Sequence, residues 1–126
     1  MKHIPTVARY LLGILFLVFG LNFWLKFIPV PSPEKGSLAA GFMGALYMSG
    51  FLTVVKMLEV LGGILLLSGR YVNLALAWLG PIVVVIGLYH LFILKGGYPM
   101  AIVLGLLAIT ALAGRRDFIT SLLAPK

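Results

Sequence analysis

The sequence predicts an all-α membrane protein, a four-helix transmembrane bundle with a short interfacial or re-entrant helix between the first two spans. Three observations lead there. Hydrophobic residues make up 62% of the 126-residue chain, and the mean hydropathy is +1.14, far from the composition of an ordinary soluble domain. The apolar residues fall into four long runs separated by breaks rich in Pro and Gly. A spanning helix takes about 20 residues, so four spans with short connections use up residues 1–126 as a single domain.

The first span is expected from about Val7 to about Ile28, where Pro29-Val-Pro-Ser-Pro33 removes backbone donors and stops it. Its apolar stretch, Tyr10 to Leu25, follows Lys2 and Arg9 and so imitates a signal peptide. It continues into Asn22-Phe-Trp-Leu-Lys26 rather than a small-residue cleavage site, so it is expected to be retained. Pro29 to Ser37 reads as an exposed loop. Leu38 to Gly50 has 13 apolar, Gly- and Ala-rich residues, too few to span, and is expected to be the interfacial or re-entrant helix. The second span should run from about Phe51 to Ser68 and close at Gly69-Arg70, a C-cap glycine and a cation suited to the helix dipole. The third should begin near Val72 and reach Lys95-Gly-Gly-Tyr-Pro99, with a kink at Pro81. The fourth is expected from about Met100 to Gly114, closed by Arg115-Arg116-Asp117, with Phe118 to Lys126 as an amphipathic end at the surface.

Ten Lys and Arg against three Asp and Glu give a net charge of +7, but these cations sit at helix ends and in loops rather than in a stripe interleaved with aromatics. That pattern belongs to membrane-flanking charge and not to a nucleic-acid surface. Four spans place Lys2, Arg9, Arg70, Arg115, Arg116 and Lys126 on one side and Lys26, Lys35 and Lys95, with Glu34, on the other. Both termini are therefore expected in the cytoplasm. Cysteine is absent, which excludes thiol relays, thiolate metal sites and iron–sulfur ligation. Two histidines, one of them His3 at the terminus, make no metal or haem site. No phosphate loop, dinucleotide fingerprint or nucleophile elbow is present.

Polar residues inside the apolar runs are the candidates for function, because an unpaired charge at the centre of a span costs roughly 2.5–3.5 kcal/mol on insertion scales. Glu59 lies in such a setting, with Lys56 one turn earlier on the same helical face. Counting along each span places Lys56 about 7 Å, Glu59 about 12 Å, His90 about 7 Å and Asn22 about 9 Å below the outer ends. Asn22, Lys56, Glu59 and His90 are thus expected to share one layer, with Tyr89 beside it. The layer can act in proton transfer or ligand binding, or it can be a closed hydrogen-bonded network that fixes helix register. Gly13, Gly20, Gly62, Gly63, Gly80 and Gly87 are expected at close helix contacts. Trp24, Tyr71, Trp78 and Tyr98 are expected near span ends as an aromatic belt. Parallel spacing of Gly13 and Gly20 with Gly80 and Gly87, and of Met57 to Gly62 with Met100 to Gly105, raises a weak internal repeat.

The stretches Arg9-x-x-x-Gly13-x-x-Phe16-x-x-x-Gly20, Glu59-Val-Leu-Gly-Gly-Ile-Leu-Leu-Leu-Ser-Gly-Arg70 and Leu79-Gly-Pro81-Ile82 with Tyr89-His90 resemble the DoxX-like family of small bacterial four-helix membrane proteins. The likeness covers the first three spans and extends to the fourth only in general character. It implies a place in the bacterial cytoplasmic membrane and an association with redox complexes, since founding members look like membrane subunits of thiosulfate:quinone oxidoreductase. Without cysteine or a cofactor motif, the chain is not expected to be a redox centre by itself.

Three readings follow. One is a non-catalytic subunit or accessory protein of a membrane redox complex, whose polar layer binds a quinone-like or other small ligand. There a quinone carbonyl accepts from Lys56 or His90 and the ring lies against Phe23 or Tyr89. Another is a proton-coupled small-molecule transporter or channel relaying protons between Glu59 and His90, which at this size requires a homo-oligomer. The last is a purely structural membrane partner protein.

Overall fold

The computed structural model describes residues 2–29 and 32–125. Val30 and Pro31 of the proline-rich loop, and Lys126 of the charge count, lie outside the described residues. All secondary structure among the described residues is helical: α1 (Ile4–Leu25), α2 (Leu38–Ser49), α3 (Phe51–Ser68), α4 (Val72–Leu88) continued by a π-helical segment (Tyr89–Leu94), α5 (Tyr98–Ala113) and α6 (Arg116–Leu123).

Local chemistry explains most boundaries. Pro5 stands in the first turn of α1, where its missing N–H costs nothing, so the helix begins three residues before the expected Val7. It ends at Leu25 rather than Ile28, because Lys26 turns left-handed and returns its N–H to the Asn22 carbonyl. Ser37 caps α2, its hydroxyl accepting from the Ala40 N–H at 3.1 Å. Gly50, at φ 85°, adopts a conformation costly for other residues and separates α2 from α3. Pro99 does not end a turn as expected but sits in the first turn of α5. The chain passes through Pro81 within α4.

Three helical stretches are long and apolar enough to cross a membrane: α1, α3 and α4 with its π continuation. A fourth crossing is reached only by joining α5 to α6, which meet at 92°. With 16 residues, α5 alone is about 24 Å long, against a hydrocarbon core of about 30 Å. The short α6 carries Phe118, Ile119, Leu122 and Leu123 on one face and polar residues on the other, as expected of an amphipathic end.

Helix α1 packs between α3 and α5, and α4 closes the ring by packing on both of them, while α2 rests on α3 and the π segment. The buried core is built from Ala8, Leu12, Phe16, Leu66, Ala75, Leu79, Leu104 and Ala108. Outward faces are equally apolar: Val7, Leu11 and Ile14 of α1, Leu61 and Ile64 of α3, Val84 and Leu88 of α4, and Ile102, Leu106 and Ile109 of α5 are exposed. Apolar surface of that extent calls for an apolar surrounding, and small residues at the seams are what helix association in lipid uses.

The seams use some of the expected glycines and not others. Gly13 and Gly63 bring the α1 and α3 backbones together, and a Cβ on Gly20 would stand 2.8 Å from Val60. A Cβ on Gly62 would stand 2.9 Å from the Trp78 indole nitrogen. That bare backbone lets Trp78 Nε1 donate to the Leu58 carbonyl at 3.0 Å. Trp78, expected from sequence near a span end, therefore ties α4 to α3. Nothing lies within 4 Å of a Cβ on Gly80, Gly87 or Gly105, so the contacts made by Gly13, Gly20 and Gly62 have no counterpart at the matching positions of the second half. Trp78→Phe keeps the ring and loses the tie, so it should cost about 0.6–1 kcal/mol in detergent unfolding. An unchanged transition would remove that role from the indole.

Candidate functional site

Glu59 projects from the face of α3 that meets α1 and is 4% exposed. Gly20 makes the space: a Cβ there would stand 3.3 Å from the Glu59 Cβ. One turn earlier, Lys56 Nζ reaches Glu59 Oε1 at 3.4 Å, and this is the carboxylate's hydrogen bond among the described residues. A strong charge-assisted bond measures about 2.7–2.9 Å, so the pair is long. It is also uneven, since the Lys56 side chain is 22% exposed and that of Glu59 only 6%. Lys56 is the more accessible side chain of the two and Glu59 the more enclosed.

The other two expected members of the layer are engaged elsewhere. Asn22 is buried, but its amide closes the end of α1: Nδ2 donates to the Ile28 carbonyl at 3.0 Å and Oδ1 accepts from the Ile28 N–H at 2.8 Å. The amide imitates a strand partner for the chain leaving the helix. His90 lies in the π segment with Nδ1 2.8 Å from the Gly96 carbonyl. A carbonyl only accepts, so Nδ1 carries the proton and Nε2 is left as the free ring nitrogen. The same ring excludes a side chain at Gly97, where a Cβ would stand 2.9 Å from Nδ1.

Helix register places these residues relative to Glu59. Gly20 stands opposite Glu59 and Val60, and Gly62 stands opposite Trp78 and Leu79. Asn22 is therefore within one turn of the Glu59 level, while His90 lies about 12 Å nearer the α2 end. A direct relay between Glu59 and His90 gains nothing from that spacing. Nor does the pair tie helices together, because both partners belong to α3.

Sequence reasoning missed the aromatic clamp that α2 lays over this end. Phe42 of α2 stacks on Tyr89 with ring centres 5.5 Å apart, and Tyr89 meets His90 edge-on at 5.3 Å. Tyr47 of α2 meets Phe23 of α1 at 6.0 Å. The π segment that carries Tyr89 and His90 is a form often found at functional positions. Phe42 and Tyr47 were visible only as part of an apolar run, without a partner to mark them.

Among the described residues no three His, Asp or Glu side chains gather as metal ligands. Two clefts lie away from Glu59, one at the opposite end of the bundle and one along its α1–α5 flank. The candidate site thus consists of one long ion pair on α3, with aromatic pairs between α2 and its neighbours toward the α2 end. It offers a hydrogen-bond donor to a carbonyl and a buried anion to hold that donor. Compared with known proteins, the chain matches no protein-family model, no curated protein and no solved structure.

Proposed function

We propose that the chain is a DoxX-like protein that crosses the bacterial cytoplasmic membrane four times with both termini inside. In this reading it serves a membrane redox complex as a non-catalytic subunit or accessory protein and holds a quinone-like head group at Lys56. The side carrying Lys2, Arg9, Arg70, Arg115 and Arg116 supports the orientation by its excess of cations over the side of Lys26, Lys35 and Lys95.

The observation that carries the ligand reading is the uneven ion pair. A pair kept to fasten helices together would be short and would bridge two of them. This one is 3.4 Å long, lies within α3 and has the lysine as its more accessible side chain. A quinone carbonyl accepts from Lys56 Nζ, while Glu59 orients the ammonium. Tyr89 and Phe42, or Phe23 and Tyr47, offer faces for the ring.

Quinone retained by protein purified in mild detergent tests the reading. Wild type should keep added quinone through size exclusion, and Glu59→Gln should lose most of it while keeping its helical circular dichroism. Equal retention by the two would overturn the site, and a lowered melting temperature with unchanged retention would mark the pair as structural.

A further inference from the structure

The opposite end of the bundle carries a second feature, which the quinone reading does not use. Lys2, the first turn of α4 at Asn73, the end of α5 at Ala113 and Gly114, and the start of α6 enclose an open cleft of about 590 Å³. Three of its lining side chains are cations, Lys2, Arg115 and Arg116, against one carboxylate, Asp117. The ion pair present among the described residues is Lys56–Glu59, so no described carboxylate lies within ion-pair distance of these three cations, and the cleft keeps a positive excess over Asp117. Three positive charges around one concavity form a focused positive potential that attracts a multiply hydrogen-bonding anion. Arginine in particular matches the geometry of phosphate oxygens.

Two further observations favour a phosphate carried by a lipid over a free ion. Helix α6 turns 92° away from α5, and Leu122 and Leu123 on its apolar face are 63% and 78% exposed. A helix so placed lies in the interface of a bilayer, with its polar edge at head-group level. Arg115 and Arg116, at the corner between α5 and α6, then stand where lipid phosphates are. Along the same α1–α5 seam runs an apolar groove of about 370 Å³, lined by Ile4, Val7, Leu11, Leu106 and Leu107. It gives an acyl chain a course beside the bundle, which a free phosphate would not need.

We propose that this cleft binds the phosphodiester head group of an anionic phospholipid, with Arg115, Arg116 and Lys2 on the phosphate and an acyl chain in the α1–α5 groove. The site rests on the membrane-spanning reading and is independent of the quinone site, since the two lie at opposite ends of the helices. It fastens the start of α1 to the α5–α6 corner, two segments already in contact where Pro5 fills the space a Cβ on Gly114 would need.

Native mass spectrometry on full-length protein in a non-ionic detergent, with equimolar phosphatidylglycerol and phosphatidylcholine, reads the site directly. Wild type should retain phosphatidylglycerol over phosphatidylcholine by about tenfold or more, given the contribution of each basic residue near anionic lipid. The triple variant Lys2→Gln, Arg115→Gln, Arg116→Gln should lose that preference. Lys26→Gln, Lys35→Gln, Lys95→Gln, with the same charge removed at the other end, should keep it. Should the first triple variant fail to fold, the exposed single changes Lys2→Gln and Arg116→Gln should each lower the ratio severalfold.

Equal retention of the two lipids by wild type, or a preference that survives in the cleft variants, overturns the proposal. Displacement of phosphatidylglycerol by inorganic phosphate at matching concentration assigns the cleft to a free ion and overturns the lipid source. Protein that stays soluble without detergent refutes the membrane reading itself. Protein that needs detergent and shows no preference refutes only the head-group site.

Discussion

Gly63→Ala should destabilise the protein by about 2–3 kcal/mol, at the upper end of what a single added methyl costs in a packed interior. The new Cβ would stand 2.8 Å from the Gly13 carbonyl oxygen, 2.8 Å from the Leu17 amide nitrogen and 3.0 Å from the Leu17 Cβ. Two of those atoms are backbone of α1, which cannot swing aside as a side-chain tip can, so the α1–α3 seam has to open along its length. Gly13→Ala meets Gly63, Leu66 and Leu67 at 3.1 Å and should cost less, since two of its three neighbours are side chains. Gly87→Ala, with nothing within 4 Å, should be neutral or should stabilise by up to about 1 kcal/mol through helix propensity. Unfolding in detergent by a graded denaturant ranks the three. Gly63→Ala as stable as Gly87→Ala would mean that the seam is looser than its geometry.

The contrast between these glycines also marks what was legible in the sequence. Apolar run length and the breakers between runs placed the helix Phe51 to Ser68 as found, and the bounds of α1, α4 with its π continuation and α5 within about three residues, because helix ends are set by local chemistry such as Gly69, Ser37 and Pro5. The expectation of a helix too short to span between the first two was met by α2. Which face of a helix turns inward was not legible where every face is apolar, and so Gly80 and Gly87 read the same as Gly13 and Gly20. Counting residues kept Asn22 within a turn of Glu59 but set His90 about 5 Å from that level, where the helix register sets it about 12 Å away, and counting does not fix direction around the axis or the path of the next loop. Asn22 and His90 were therefore assigned to a layer, while their amide and ring bond the chain leaving their own helices, at Ile28 and Gly96. The π segment left no mark, since its hydrogen-bond shift changes the side-chain period too briefly for a six-residue stretch to show. Lys56 and Glu59 were readable as partners because spacing i, i+3 is a local property.

Lys56→Met should cost more stability than Glu59→Gln, and the order is the informative part. Removing the lysine leaves a carboxylate that is 4% exposed without its hydrogen-bond donor, a loss of roughly 2.5–3.5 kcal/mol for an uncompensated charge among apolar side chains. Removing the glutamate charge leaves an ammonium on a flexible stem that is already 22% exposed and can turn toward water at the interface. Lys56→Met combined with Glu59→Leu should return close to wild-type stability, as replacement of a whole buried pair by apolar residues does elsewhere. A double-mutant cycle by detergent unfolding, closed with the single variant Glu59→Leu, gives the coupling, and a reversed order of Lys56→Met and Glu59→Gln would show that the ammonium, not the carboxylate, is the confined partner. The double variant then separates the two roles of the pair. A chain that folds as firmly as wild type yet no longer retains quinone has lost a binding group, whereas one that folds and still retains quinone never used Lys56 and Glu59 to bind it.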